Sequence, residues 1–266
     1  MTDPSAAFDP RTTLARPDLA ALALEGLVRA QAYRATRPMH CRIAVADLHA
    51  DTSPDAERID QLLTGEVFDV LETRGDWSWG QARRDGTVGW IRASALAGGA
   101  PLATHRVAAT DAVLPLNALV HHGYSGVAPG DLSPVGDFET DPVAVAERLL
   151  GTPHALGARS SRRTDCSGMV QQALYACGLA CPRHSADQAE LGRAVDRAEA
   201  QRGDIVVWVN LAQDRSWTGH SAMMLDENHV THATGFHGAV VVEAFDEADA
   251  RYLADGFEPA VFRRLA

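Results

Sequence analysis

Two segments in the second half of the chain carry apolar residues at helical spacing. The first starts at Asp141-Pro142, a favoured N-cap followed by a favoured first helical residue, and its apolar positions continue to Leu150. The second starts after Asp165 and stays periodic up to Gly178, a residue type that commonly ends helices. We therefore predict two helices, one after Asp141 and one after Asp165.

The remainder of the second half consists of short apolar runs separated by turn residues, a pattern that favours strands. The predicted strands cover residues 204–209, 221–225, 230–233, 239–245 and 258–263. A helical part followed by a run of strands is typical of an α+β domain. We assign this domain to residues 141–266.

Residues 38–98 show a different pattern, in which short alternating runs are separated by turns at Gly75-Asp76 and Asp85-Gly86. Such spacing is typical of a small β-barrel. The segment contains three tryptophans, Trp77, Trp79 and Trp90. They form either the core of the barrel or an exposed binding face.

The segments on either side of the barrel are less regular. Residues 1–37 are interpreted as an N-terminal arm, in which Asp18 is positioned to cap a short helix through Leu19, Leu22 and Leu27. Residues 99–140 contain several Gly and Pro turn signals, so we predict a linker with at most a few strands.

Composition and charge exclude several classes of protein. A chain of 266 residues suggests about two domains, and 46% apolar with 22% charged residues is ordinary for a globular protein. No apolar run approaches the roughly 18 residues needed to span a bilayer. The net charge is −11, which disfavours nucleic acids and anionic membranes as partners. All basic residues are arginines, so lysine chemistry is excluded.

The first ten residues contain neither a basic nor an apolar leader region, so we expect a cytoplasmic protein without a secretory signal. Four cysteines are present, at positions 41, 166, 177 and 181. Cys177 and Cys181 lie four residues apart, but no second such pair exists to complete a zinc site. We expect no disulfide framework and interpret both as packing residues.

Cys166 is the candidate nucleophile. It lies where a loop becomes a helix, and a helix N-terminus favours a thiolate and can hold an oxyanion. His220 and His232 lie on consecutive predicted strands, which suggests a base and a group that orients it. A two-residue turn at Glu227-Asn228 would put the two histidines on opposite faces, so their cooperation requires an odd-length loop or a bulge.

Several motifs carry a resemblance to a known family. They are Asp165-Cys166-Ser167-Gly168, Cys181-Pro182-Arg183-His184-Ser185-Ala186-Asp187-Gln188, Arg202-Gly203-Asp204-Ile205-Val206-Val207-Trp208, Gly219-His220, His232-Ala233 and Val241-Val242-Glu243. Residues 141–266 resemble the NlpC/P60 cysteine peptidase domain, and residues 38–98 resemble a bacterial SH3 domain. The combination is similar to the γ-D-glutamyl-L-diamino acid endopeptidases that recycle peptidoglycan stem peptides.

The resemblance implies a papain-like α+β fold, with helices packed on an antiparallel sheet, behind a small SH3-like barrel. It implies a Cys166–His220–His232 triad that needs no metal or cofactor, and a small peptide substrate with a free N-terminal amine. The substrate-contacting positions that it implies are Asp165, Ser167, Ser185 and, on the barrel, Glu66. His154 stands where the family has a tyrosine and is a further candidate. Residues 99–140 then become a linker or an eroded second SH3-like unit.

Other departures from the family pattern leave two alternatives open. Leu156, His184 and Thr87 replace residues of family motifs, and residues 209–218 form an insertion before His220. One alternative is a catalytically degenerate protein that binds a peptide. The other is an amidase or acyltransferase that uses the same Cys–His–His site on a different acyl substrate.

Overall fold

The computed structural model describes residues 8–210 and 218–265. The chain divides into two compact units: residues 1–103 with 118–121, and residues 104–117 with 122–266. The insertion noted at residues 209–218 lies mostly outside the described residues, since 211–217 are not among them. Within the described part of the chain, no helix is both long and apolar enough to cross a bilayer.

The elements follow one another in chain order. The strands are β1 (Ala20–Ala21), β2 (Tyr33–Arg34), β3 (Arg37–Cys41), β4 (Val45–His49), β5 (Arg58–Leu63), β6 (Val67–Arg74), β7 (Trp77–Ala82), β8 (Val88–Arg92), β9 (Leu96–Gly98), β10 (His105–Val107), β11 (Leu119–Val120), β12 (Leu132–Pro134), β13 (Arg159–Ser160), β14 (Arg163–Thr164), β15 (Arg193–Val195), β16 (Ile205–Val209), β17 (Gly219–Met224), β18 (His229–Thr234), β19 (Ala239–Ala244) and β20 (Val261–Arg264). The α-helices are α1 (Pro142–Glu147), α2 (Cys166–Ala176), α3 (Ser185–Gln188) and α4 (Phe245–Ala254). Short 3₁₀ turns cover Leu22–Leu24, Ala93–Ala95, Pro129–Asp131 and Arg197–Glu199.

The first unit is built on a seven-stranded antiparallel sheet in the order β5-β4-β8-β7-β6-β3-β9. The two predicted turns occur where expected, and Gly75 and Gly86 take positive φ angles of 54° and 84° that other residues rarely adopt. Gly65 is required for a further reason. A Cβ there would lie 2.1 Å from the carbonyl oxygen of Leu119, so only glycine permits this close approach.

The N-terminal arm does not form the predicted helix after Asp18. Residues Ala20–Ala21 pair as a strand with Tyr33–Arg34, and only one 3₁₀ turn follows. The alternation of apolar residues serves packing on the barrel instead of a helix face. Leu14, Leu19 and Ala21 form a cluster with Trp79 and Trp90, which are 4% and 8% exposed. Two of the three tryptophans therefore belong to a core.

Residues 99–140 contain the few strands that were expected. Strand β10 pairs antiparallel with β12 in the second unit. Residues 118–121 belong to the first unit, where the Leu119 N–H donates to the Thr64 carbonyl oxygen. The segment is thus divided between the two units and does not form a domain of its own.

The second unit is a six-stranded antiparallel sheet in the order β15-β20-β16-β17-β18-β19. Helices α1 and α2 occur where predicted, and the Asp141 carboxylate accepts from the N–H groups of Val143 and Ala144. Gly178 follows α2 with a φ of 74°, as expected for a residue that ends a helix. Apolar residues of α1 and α2 cover one face of the sheet.

The other face of the sheet is covered by a helix that the strand pattern did not predict. Strand β19 ends at Ala244, and α4 begins at Phe245. Phe245, Ala248 and Tyr252 pack against Trp208 and neighbouring strand residues. The spacing of these three residues and the acidic first turn, Asp246 and Glu247, are the signals that could have revealed this helix.

Candidate active site

Cys166 is the first residue of α2, and Asp165 is its N-cap. The Asp165 carboxylate accepts from the N–H of Gly168 and from the N–H of Gly157, both at 2.8 Å. The first bond satisfies an N–H group in the first turn of the helix that would otherwise have no acceptor. The second ties the preceding loop to the same carboxylate. The local sequence therefore fixes the position of the cysteine at the helix start.

Arg183 pairs with Asp165 through both guanidinium nitrogens, at 3.0 Å and 2.6 Å, and both residues are buried. Arg183 also donates to the Ser167 hydroxyl at 2.9 Å. Burial opposes ionisation of Asp165, but the Arg183 charge and the backbone donors outweigh it and hold the pKa of Asp165 below its ordinary value. With the two N–H groups and the Ser167 hydroxyl, which donates at 3.3 Å, the pair leaves the carboxylate fully hydrogen-bonded.

The Cys166 thiol is less acidic than its helix position suggested. Its sulfur lies 3.5 Å from the Ser185 hydroxyl oxygen. Burial and the Asp165 charge raise the pKa of Cys166, against the hydrogen bonds from Ser185 and from the N–H groups of Ser221 and Ser167. The expected lowering is therefore wrong for this state, because the N-cap carboxylate offsets the positive end of the helix.

The two histidines lie on the same face of the sheet. Met223 pairs with Thr231 and Met224 pairs with Val230 in the β17–β18 hairpin. Leu225 then lies opposite His229, its N–H donating to the His229 carbonyl oxygen, so the loop has three residues, 226–228. This odd length gives positions 220 and 232 the same parity, as their cooperation required.

A chain of hydrogen bonds runs from His220 away from the thiol. His220 Nε2 lies 2.9 Å from His232 Nδ1, and His232 Nε2 lies 2.9 Å from Glu243 Oε2. Glu243 is held by Arg251 through both carboxylate oxygens, one bond measuring 2.8 Å. Burial lowers the pKa of both histidines, that of His220 far below its ordinary value. Both rings are therefore neutral at neutral pH.

Aromatic rings enclose the His220 imidazole. Tyr252 of α4 stacks on it with a centroid separation of 4.3 Å, and Trp208 lies 5.9 Å away. Burial raises the pKa of Tyr252 to about 12, and the nearby Cys166 charge contributes. The thiol thus lies beside Tyr252 and beside the N–H of the residue that follows His220. We infer that the thiol and the His220 ring are neighbours.

The substrate-contact positions that the resemblance implied differ in their surroundings. Asp165, Ser167 and Ser185 all lie around the thiol. His154 is partly buried, and burial lowers its pKa while the nearby Asp165 raises it. Glu66 belongs to the first unit, is 2% exposed, and accepts from the Leu63 N–H at 2.9 Å. Their contact with substrate stays a prediction.

Three residues of the site had no role in the sequence analysis. Glu243 was quoted within a motif, while Arg251 and Tyr252 lie on the unpredicted helix α4. An acidic residue inside an otherwise apolar strand, β19, is the signal for Glu243, since buried carboxylates are rarely unpaired. Within the described residues, no group of three or more His, Cys, Asp or Glu side chains is arranged to hold a metal ion.

Comparison with known families gives two matches. A model of the NlpC/P60 family matches residues 151–253, a range that includes Cys166, His220, His232 and Glu243. This part of the chain is therefore similar to an NlpC/P60 domain. Ahead of it, residues 48–96 match the bacterial dipeptidyl-peptidase SH3 domain, so the predicted resemblance and fold class are confirmed.

Two curated relatives align with the NlpC/P60 part of the chain. A probable endopeptidase NlpC homolog from Haemophilus influenzae is 28% identical over 105 residues, covering 39% of this chain and 53% of the relative. A gamma-D-glutamyl-L-lysine dipeptidyl-peptidase from Bacillus cereus is 28% identical over 93 residues, covering 35% of this chain and 28% of the relative. The match thus spans about half or less of each relative.

A solved structure is similar over both parts of the chain. It is an NlpC/P60 family protein from Bacillus cereus, superimposed with a TM-score of 0.67 over 85% of this chain and 99% of that one. The sequence identity is 17%, so this likeness concerns the fold alone. At 85% coverage, the likeness includes residues outside the range matched by the NlpC/P60 model.

Proposed function

We propose that this protein is a cysteine peptidase that hydrolyses the γ-D-glutamyl–diamino acid bond of peptidoglycan stem peptides. The observation that carries the reaction class is the uninterrupted series His220–His232–Glu243 beside a cysteine at a helix N-terminus. Proximity of a thiol, a base and an orienting group is the requirement for thiol acyl transfer.

The chemistry follows from the states of the groups. The resting thiol is neutral and His220 is neutral, so His220 takes the Cys166 proton as the sulfur attacks the γ-carbonyl carbon. The Cys166 backbone N–H stabilises the oxyanion of the tetrahedral intermediate. His220 then gives its proton to the leaving amine of the diamino acid. Water, deprotonated by the same ring, hydrolyses the thioester and restores the thiol.

The substrate assignment is supported by two likenesses. One matched relative is named a gamma-D-glutamyl-L-lysine dipeptidyl-peptidase, and the SH3 match is to the domain of bacterial dipeptidyl-peptidases. A stem peptide cut from its glycan carries a free, positively charged amine on its L-Ala. We propose that Asp165 provides the negative charge near this amine. Its buried position makes the carboxylate an electrostatic partner even where its hydrogen bonds are filled.

Incubation with L-Ala-γ-D-Glu-diaminopimelate, followed by mass spectrometry, tests the proposal directly. We expect L-Ala-D-Glu and free diaminopimelate with the wild-type protein and no products with Cys166→Ser. The N-acetylated tripeptide should be cleaved about 10–100-fold more slowly, since acetylation removes an attraction between charges of about 1.5–3 kcal/mol at the buried Asp165 carboxylate. Asp165→Asn should reduce this preference.

Other results would replace parts of the proposal. Equal cleavage of free and acetylated peptides, or cleavage of intact sacculi, would contradict the recycling role and leave the thiol chemistry in place. Cleavage or acyl transfer on other amides alone would favour the amidase or acyltransferase alternative, and Leu156, 55% exposed at a family aromatic position, would be the place to look. Binding of the tripeptide without turnover would favour the degenerate binding protein. The cytoplasmic location stays a prediction, which cell fractionation tests.

A further inference from the structure

We propose that Glu243, clamped by Arg251, is a positioning residue that sets the tautomer of His232 and, through it, the tautomer of His220. The inference rests on the proposed catalytic roles of Cys166 and His220. It goes beyond them because neither Glu243 nor Arg251 touches the reacting atoms. Its parts are two consecutive histidine hydrogen bonds and a carboxylate that Arg251 bonds twice, and their donors and acceptors can be assigned in only one way.

The assignment starts at Glu243, which can only accept. Its carboxylate bonds both guanidinium nitrogens of Arg251, and the side chain is buried. Burial opposes ionisation, but the Arg251 and His232 contacts outweigh it and keep the pKa of Glu243 well below its ordinary value. An ionised carboxylate has no proton to donate. The group facing Glu243 Oε2 must therefore be a donor.

That donor is His232 Nε2, at 2.9 Å. His232 is fully buried and its pKa is lowered, so the ring is neutral and carries one proton. With that proton on Nε2, Nδ1 has a lone pair and accepts. His232 Nδ1 lies 2.9 Å from His220 Nε2, so His220 Nε2 must be the donor of the second bond.

The same logic then fixes the His220 ring. Burial keeps His220 neutral, and its single proton is on Nε2. Nδ1 is therefore unprotonated and is the nitrogen free to take the thiol proton. The opposite tautomer would present an N–H to the thiol, which cannot act as a base. The negative charge on Glu243 thus decides, across two imidazole rings, whether His220 is a base for Cys166.

The surroundings of Glu243 favour this role over simple structural pairing. His237 Nε2 lies 3.7 Å from the same Oε2 oxygen. Arg251 is packed with its guanidinium 4.5 Å from the Phe236 ring and 5.1 Å from the Tyr252 ring. These contacts hold the Arg251 guanidinium against the Glu243 carboxylate, so that Glu243 Oε2 faces His232.

Glu243→Gln is the decisive variant. The amide has no charge and only one oxygen, so in either orientation its NH₂ group faces a nitrogen of Arg251 and the carboxylate clamp is lost. With the NH₂ group in the place of Oε2, it donates to His232 Nε2 and demands the reversed tautomers. A wrong tautomer at the catalytic histidine of a serine protease lowers kcat by about 10⁴-fold. Because Glu243 acts on His220 through one further imidazole ring, we expect a smaller fall in kcat, of about 10²-fold, with KM little changed. Glu243→Asp keeps an acceptor-only group and should recover part of the loss.

The matched control is Asp226→Asn. Asp226 and His229 form a histidine–carboxylate contact of the same length, 2.9 Å, at the exposed start of the same strand. Removing that carboxylate should leave kcat, KM and ring tautomers unchanged. A decrease equal to that of Glu243→Gln would mean that loss of any carboxylate bonded to a histidine of β18 has the effect, and would overturn the inference.

Two readouts do not depend on the substrate. In ¹⁵N–¹H spectra of the wild-type histidine rings, we expect Nε2–H forms for both His220 and His232, and Nδ1–H forms in Glu243→Gln. Alkylation of Cys166 by iodoacetamide at pH 7 should slow at least about tenfold in Glu243→Gln, because the base is lost. An Nδ1–H ring in the wild type, or unchanged tautomers and alkylation in Glu243→Gln, would overturn the inference. Correct tautomers without tripeptide cleavage would contradict only the proposed substrate.

Discussion

Two buried carboxylates serve the candidate thiol, and each is bonded by an arginine through two nitrogens. Asp165 pairs with Arg183 directly before the nucleophile, and Glu243 pairs with Arg251 at the far end of the histidine series. Both pairs lower the pKa of the acid against the effect of burial. In charge and geometry the two are close to equivalent.

They differ in what occupies the remaining acceptor sites. Asp165 accepts from backbone N–H groups of Gly157 and Gly168, which join a loop to the start of α2. Glu243 accepts from His232, a group that can exist in two proton states. The same ion pair therefore fixes backbone position in one region and proton position in the other. Loss of the first should be seen mainly in stability, and loss of the second mainly in rate.

The largest expected effect is loss of the nucleophile or the base that both pairs serve. Cys166→Ser should abolish turnover, and His220→Ala should be nearly as damaging, at roughly 10⁶-fold in kcat, because the two act as a unit. Initial rates on the tripeptide measure this. Cys177→Ser, at the other end of the same helix, should retain full activity. Similar losses in Cys166→Ser and Cys177→Ser would remove Cys166 from the site.

The next effect separates the two carboxylates by stability. Asp165→Asn removes the negative charge that faces the buried Arg183, which should cost about 3–5 kcal/mol and lower Tm by roughly 10 °C. Glu243→Gln should cost less, because the Arg251 side chain is 18% exposed and can be hydrated. Thermal unfolding measures both, with Glu190→Gln, part of an exposed pair at 3.8 Å, expected to change stability by less than about 1 kcal/mol.

The difference in Tm between wild type and Asp165→Asn should change with pH in one direction only. The folded pKa of Asp165 lies below its ordinary value, so its contribution is present above about pH 4 and is lost as the pH falls through the folded pKa. The Tm gap between wild type and Asp165→Asn should be constant from pH 8 to 5 and should narrow in more acidic solution. A gap that widens on acidification would contradict the assigned pairing.

A smaller loss of kcat is expected when His232, which bonds His220, is replaced. His232→Ala should lower kcat by about 10²–10³-fold, less than His220→Ala, because water can partly replace an orienting group. His229→Ala removes an exposed histidine from the same strand and should leave kcat unchanged. If His229→Ala were the more harmful change, the order of roles along β18 would be wrong.

The smallest signal concerns the resting state of the thiol. The raised pKa of Cys166 and the lowered pKa of His220 predict a neutral thiol–imidazole pair at pH 7. The difference in absorbance at 240 nm between wild type and Cys166→Ser should therefore show no thiolate at neutral pH, and should appear only in alkaline solution. A full thiolate signal at pH 6 would indicate a preformed ion pair and would contradict this electrostatic balance.

Local signals in the sequence determined the parts of the site that depend on near neighbours. Asp165 was readable as a helix cap and Cys166 as the first helical residue, because capping needs only a carboxylate and an N–H three positions later. The turns at Gly75 and Gly86 could also be predicted, because a glycine next to an aspartate is a local turn signal. The N-terminal arm could not, because Leu19 packs in a cluster with barrel tryptophans while Leu22 and Leu27 stay exposed, so the leucines after Asp18 do not form one buried helix face.

Only the tertiary structure decided which groups the ring nitrogens of His220 and His232 bond. Whether His220 and His232 share a face depended on one residue of loop length at 226–228, which pairing and not composition determines. The acid that completes the series lies on β19 and its arginine on α4, so their contact requires the sheet and the helix to be assembled first. The thiol pKa was misjudged chiefly because the burial that raises it depends on elements that lie far apart in the chain, while the Asp165 charge adds to the effect from the neighbouring position.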